Sequence, residues 1–276
     1  MENQRTMIEK INKLGVNRTP FFLLVDFEMK TPLLFLMDEL GEEQIQFGFP
    51  EFATSKASST GHRIELQKFP VSYDTYLQKF NLVKAALQYG NSFLTNLTCE
   101  TNIHTEATLD EIFQYSKAKY KVFYKHHWVC FSPETFIQLK DGFIYSYPMK
   151  GTIDADLPNA EQQLLLDEKE IAEHYTIVDL IRNDLSMVAS DVKVNRFRYI
   201  DRIKTSGKTL LQASSEICGK LPDDYLHRLG SILFTLLPAG SISGAPKKKT
   251  LDIIHQAEQY QRGFYTGTAF YFDGST

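Results

Sequence analysis

The chain has 276 residues, of which 43% are apolar, 23% charged and 13% aromatic. That is chain enough for one large or two ordinary domains, and the composition of a globular protein with a sizeable core. A formal charge of −4 argues against nucleic acid or an anionic membrane surface as a partner, and no apolar run approaches membrane-spanning length. The start, Met1-Glu2-Asn3-Gln4-Arg5, is too polar for a secretory signal, and Cys99, Cys130 and Cys218 lack metal-ligand spacing. Free thiols in a reducing compartment follow, and a cytoplasmic protein is expected.

In chain order, residues 1–15 read as an amphipathic helix with Met7, Ile8, Ile11 and Leu14 on one side. The nearly continuous apolar run Phe21–Phe27 suits a strand covered on both faces. Leu33–Met37 is a strand or a helix turn, Ile45–Phe49 a strand, and 51–62 the most loop-like stretch. From Ser72 the steps Tyr73, Tyr76, Phe80, Val83, Leu87 put five apolar residues on one helical face, and Gly90 ends that helix. Asn91–Cys99 reads as a strand, and Thr108 with Glu111 forms a capping box for a helix running to about Ala118.

The next stretch organises the rest. Trp128–Lys140 and Phe143–Tyr147 flank an Asp141-Gly142 hairpin signal and are expected to pair antiparallel. A two-residue turn sets Lys140 opposite Phe143, Glu134 opposite Met149, and Lys150 opposite Pro133. Glu134 and Lys150 then point to opposite faces unless the ladder is offset by one residue. Pro133 cannot donate in a ladder, so a bulge there, with Glu134 and Lys150 sharing one cavity, is the expectation. His126 and His127, adjacent in the same region, should point to opposite faces of a strand.

Residues 153–166 form a polar connection turning helical, followed from Asp167 by a helix with two stripes. One holds Ile171, His174, Val178, Ile181, Leu185 and Val188; the other mixes Glu170, Glu173 and Asp184 with Ile177 and Leu180, which is unusual for a surface helix. Asp179, Arg182, Asn183 and Asp184 are read as a structural polar network. Val192–Val194 and Thr209–Ile217 read as strands, Tyr225–Leu237 as a helix, Pro246–Tyr260 as another, and Arg262–Phe272 as a turn and strand. Three lysines, Lys247, Lys248 and Lys249, oppose the dipole at a helix start, a conflict that a bound anion would relieve.

Four motifs stand in order: Ser132-Pro133-Glu134, Pro148-Met149-Lys150-Gly151-Thr152, Ile177-Val178-Asp179-Leu180-Ile181-Arg182-Asn183-Asp184, and Pro238-Ala239-Gly240-Ser241-Ile242-Ser243-Gly244-Ala245-Pro246-Lys247. In this order the chain resembles the chorismate-utilising enzymes, and within them most resembles the aminodeoxychorismate synthase component I branch. The resemblance implies an α+β fold with antiparallel sheets packed around the active site and helices outside. It implies a single module over 1–276, with N-terminal strands over 1–70 and a catalytic core over 71–276.

Read alone, Lys150 is a strand-end lysine and Glu134 an exposed strand carboxylate. By resemblance, Lys150 attacks C2 of chorismate, Glu134 acts as general acid/base at the C4 hydroxyl, and ammonia from a glutaminase partner adds at C4. The same resemblance gives substrate binding to Gly151, Thr152, Gly240, Ser241 and Tyr265, and Mg²⁺ to Glu173 and, more weakly, Glu170. Leu94 stands where the water-adding members carry a lysine, which disfavours water addition. Gln212 stands where the family usually has a histidine, and can hydrogen-bond but not exchange a proton. The chain stops at Thr276, ahead of the part where the family supplies an Arg, a Gly-rich turn and a further Mg²⁺-binding carboxylate, so a missing C-terminal part is expected. The function expected is amination of chorismate toward 4-amino-4-deoxychorismate and folate. The alternatives are anthranilate synthase component I and a non-catalytic chorismate-binding or glutaminase-docking protein.

Overall fold

The computed structural model describes residues 4–41, 45–50, 52–54, 64–204 and 207–275. Helix α1 (Gln4–Val16) buries Met7 and Ile11, as its spacing requires. Strand β1 (Phe21–Val25) is buried at all five positions. Its side chains alternate between two cores, Phe21, Leu23 and Val25 entering one with α1, Phe22 and Leu24 entering another with Ile45, Phe47 and Val122. That two-sided burial is why the run is apolar without alternation. β2 (Leu33–Leu36) resolves as a strand and pairs with β1. β3 (Ile45–Phe49) and the short β4 (Phe52–Ala53) follow; the rest of the expected 51–62 loop lies outside the described residues.

After β5 (Gln67–Pro70) comes α2 (Tyr73–Gln88), capped by Ser72. Its apolar stripe divides: Val83 and Leu87 pack with Ile253 and Ala257, while Tyr73, Tyr76 and Phe80 stay exposed. The expected strand over 91–99 shrinks to β6 (Leu94–Thr95), and β7 (Thr101–His104) pairs with β5. Among the described residues β6 pairs only with the two-residue strand Gly244–Ala245, and the Ser92 hydroxyl joins the two, bonding the carbonyls of Leu94 and Ala245 at 2.9 Å each. α3 (Leu109–Tyr115) has the expected Thr108–Glu111 capping box but stops at Ser116.

β8 (Tyr120–Tyr124) and β9 (Trp128–Ser132) form a hairpin of their own within the sheet β4-β3-β8-β9. His126 and His127 therefore sit in its turn, not in a strand, with His126 at φ +63°. β10 (Gln138–Lys140) and β11 (Phe143–Ser146) make the Asp-Gly hairpin, with Lys140 opposite Phe143. β12 (Met149–Asp154) does not continue that pairing. It lies along β14, and Lys150 is opposite Ala213, not Pro133.

α4 (Ala160–Leu166) and α5 (Glu168–Ser186) then cover one face of the sheet formed by β10, β11, β12, β13 (Ser190–Lys204) and β14 (Thr209–Lys220). β13 is far longer than the Val192–Val194 core suggested, because it follows β14 along most of its length. A 3₁₀ turn (Tyr225–Arg228) precedes α6 (Leu229–Leu236), splitting the single helix expected there. The chain closes through α7 (Gly240–Ser243), β15 (Gly244–Ala245), α8 (Lys247–Glu258) and β16 (Thr268–Phe272), which pairs with β1. The paired strands are antiparallel throughout, and no helix among the described residues is long and apolar enough to cross a membrane.

Candidate active site

β12 reaches Lys150 through Pro148, whose carbonyl accepts the Ser215 N–H at 3.0 Å. Past Lys150 the register slips: Gly151 and Thr152 together oppose Gln212 in a β-bulge. Gly151 sits at φ +79°, and a Cβ there would lie 2.8 Å from Leu164 Cδ1 and 3.0 Å from Glu170 Oε2. Glycine is required both by the left-handed backbone and by the close approach of α4 and α5. The bulge expected at Pro133 is thus at Gly151, on β12.

At Pro133 the chain does something else. Ser132 still pairs with Tyr120 in one sheet, while Gln138 already pairs with Tyr145 in the other. The segment between crosses from sheet to sheet, steadied by the Glu134 N–H donating to Ser132 Oγ at 3.2 Å and Ser146 Oγ donating to the Phe136 carbonyl at 2.8 Å. Freed from a ladder, Glu134 holds its carboxyl within the field of the Lys150 charge and in hydrogen-bonding contact with the Ser241 side chain. Burial pushes the Glu134 carboxyl up to about 7, against the opposing pull of the Lys150 charge and the Ser241 hydrogen bond.

Ser241 is placed by α7, which is pressed against α5: a Cβ on Gly240 would lie 2.9 Å from Leu180 Cδ2 and from Asp184 Oδ2. Asp184 accepts the Gly240 N–H and faces Lys247 Nζ at 3.3 Å, and its acidity is weakened mainly by burial despite that lysine. Lys247 also donates to the Leu236 carbonyl at 3.2 Å. Part of the lysine conflict at the α8 start is therefore relieved by the protein's own carboxylate. The expected Asp179 to Asp184 network divides accordingly: Asp179 and Arg182 meet at 3.5 Å on the surface, whereas Asp184 turns inward.

The mixed stripe of α5 runs from this contact to its N-terminus, where the Asp167 side chain caps the Glu170 N–H at 2.9 Å. Glu170 leans on Gly151, and Glu170 and Glu173 both face Lys169 Nζ, at 3.7 and 3.3 Å. Two adjacent carboxylates of this kind suit a hard cation that keeps water and substrate oxygens in its shell; no cluster of three or more candidate ligands occurs among the described residues. Thr152 lies beside Gln212 on β12 and β14. Tyr265 is exposed, in the turn whose Arg262 donates to the Ile242 carbonyl at 2.9 Å, next to Ser241.

Two groups at this site carry no motif that marks them. His174, fully buried on the core stripe of α5, bonds Ser215 Oγ through Nε2 at 2.7 Å. Burial, and then the charges of Arg198 and Lys150, push this imidazole down to about 4 although the Lys150 backbone acts on it as an acceptor. The Arg262–Glu258 pair behind α7 is equally hidden in the sequence, though its i,i+4 spacing was the available signal.

Comparison with known proteins places the chain in a family. A PabA-like protein of Haemophilus influenzae is 51% identical over 269 residues, covering 98% of this chain and 82% of the relative. Aminodeoxychorismate synthase component 1 of Salmonella typhimurium is 32% identical over 211 residues, 71% of this chain and 45% of the relative. The menaquinone-specific isochorismate synthase MenF of Escherichia coli superposes with a TM-score of 0.71 at 15% identity, covering 98% of this chain and 71% of that one, a likeness of fold. The family model of chorismate binding enzymes matches residues 8–276, and the chain belongs to that family.

Proposed function

We propose that this chain aminates chorismate at C4 to give 4-amino-4-deoxychorismate, drawing ammonia from a glutaminase partner. The observation that carries the reading is that the Lys150 charge and the Ser241 side chain both act on the Glu134 carboxyl, which burial lifts to about 7. A carboxyl so tuned is partly protonated near neutrality and can act as an acid there.

In this reading the Lys150 amine forms a bond to C2 while Glu134 gives its proton to the departing C4 hydroxyl, which leaves as water. Ammonia then bonds to C4 as the C2–Nζ bond breaks, and Lys150 is regenerated. Chorismate and ammonia go in; the aminated ring and water come out. Ser241 holds the Glu134 carboxyl, and Gly151, Thr152 and Gly240 bring backbone close to substrate. Glu173 and Glu170 would hold Mg²⁺, which supplies charge neutralisation at a substrate carboxylate when bound.

The test is incubation with chorismate, Mg²⁺ and an ammonium salt, with the product identified by mass. The expected product is 4-amino-4-deoxychorismate, lost in Lys150→Ala. Formation of anthranilate, or turnover that survives Lys150→Ala, overturns the reading.

A further inference from the structure

Behind the bulge that carries Lys150 lies a closed set of contacts. Ser215 Oγ accepts the Arg198 backbone N–H at 3.0 Å and meets His174 Nε2 at 2.7 Å, a hydrogen bond whose direction follows the ring tautomer. Nδ1 is buried and completes no hydrogen bond of normal geometry, although the Lys150 backbone acts on the ring as an acceptor. The other members close the ring of contacts. Arg198, at φ +47°, donates to the Leu164 and Leu165 carbonyls at 2.9 and 3.2 Å, capping α4. Leu164 and, one turn before His174, Glu170 are the groups pressed on Gly151. Ser215 in turn gives its N–H to Pro148, two residues before Lys150.

We infer that His174 is a positioning residue: through the Ser215 hydroxyl and the Lys150 backbone it fixes the β12 bulge and so aims the Lys150 amine at Glu134 and Ser241. A histidine fully buried in a helix stripe otherwise made of Val178, Ile181 and Leu185 has a desolvation cost that an aliphatic residue would avoid. Its two nitrogens are directed at the two strands, β14 and β12, whose relative placement sets the aim of the amine. An error of about an ångström at a reacting group lowers rates by roughly 100-fold.

The inference rests on Lys150 as the nucleophile, and the test keeps the two apart. In the full chain, His174→Ala is expected to lower kcat for chorismate amination on the order of 100-fold with KM little changed, and added imidazole to restore part of the loss. Independently of turnover, trace acetylation read by peptide mass compares Lys150 with Lys208, which is tied to Asp154 at the far end of β12. Their rate ratio is expected to change about threefold or more in His174→Ala. Should that variant fail to fold, Ser215→Ala removes the ring's partner and is expected to shift the same ratio. An unchanged ratio in the folded variant overturns the inference. Turnover that survives Lys150→Ala overturns the nucleophile reading instead, and the acetylation ratio still decides the role of His174.

Discussion

Arg262 and Glu258 form a bidentate ion pair, Nε to Oε2 at 2.9 Å and Nη2 to Oε1 at 2.6 Å, with both side chains 1% exposed. Glu258 also accepts the Thr98 N–H at 2.8 Å, and Arg262 donates to the carbonyls of Ile242 and Asn96. One pair thus ties α8, the approach to β16, the segment after β6, and α7 with its Ser241.

Removing one partner leaves a buried charge uncompensated, so Arg262→Ala is expected to destabilise the fold by about 3–5 kcal/mol. Urea unfolding measures it. A loss under 1 kcal/mol would mean that the pair contributes little.

Glu134 couples stability to pH. Its folded acidity lies near 7, against an ordinary value of 4.5, so the fold favours the protonated form. The resulting penalty is absent below the unfolded value, grows as pH rises from about 4.5 to about 7, and reaches about 3 kcal/mol above that. Glu134→Gln, neutral at every pH, is expected to match the parent at pH 4 and exceed it in stability at pH 8. Parallel urea titrations at the two pH values check this, and equal differences at both would refute it. Turnover by the parent should also fall as pH rises through about 7, where the acid loses its proton.

Gly151→Ala places a Cβ 2.8 Å from Leu164 Cδ1 in a left-handed backbone. The expected cost is about 1–3 kcal/mol, with a larger loss of turnover because the bulge beside Lys150 must shift. Gly142→Ala, which is also at positive φ but meets nothing within 4 Å, is the control for backbone strain alone. Thermal melts and kcat on both variants separate packing from conformation.

Asp184→Ala removes the partner of Lys247 and the acceptor of the Gly240 N–H. A part-buried lysine left with only the Leu236 carbonyl is expected to cost about 1–3 kcal/mol and loosen α7. Amide hydrogen exchange at residues 240–243 is the direct readout, and unchanged protection there would exclude this role for Asp184.

Sequence alone determined the elements whose cause is local. The period of α1, the Thr108–Glu111 box, the Asp141-Gly142 turn and the two-sided burial of β1 all follow from residue spacing, and the order of four motifs carried the family. What only the tertiary structure decided is which strands are neighbours. Pairing of β12 with β14 brings together residues some sixty positions apart, and no local pattern encodes that choice. It moved the bulge from Pro133 to Gly151, and the crossing of residues 133–137 between two sheets brought the Glu134 carboxyl under the influence of the Lys150 charge. A separation of 41 positions likewise hid His174 and Ser215, whose meeting depends on α5 lying across β14. The physical reason is that turn and cap chemistry is written within a few residues, whereas a buried polar contact exists only after long-range packing has removed water from both partners.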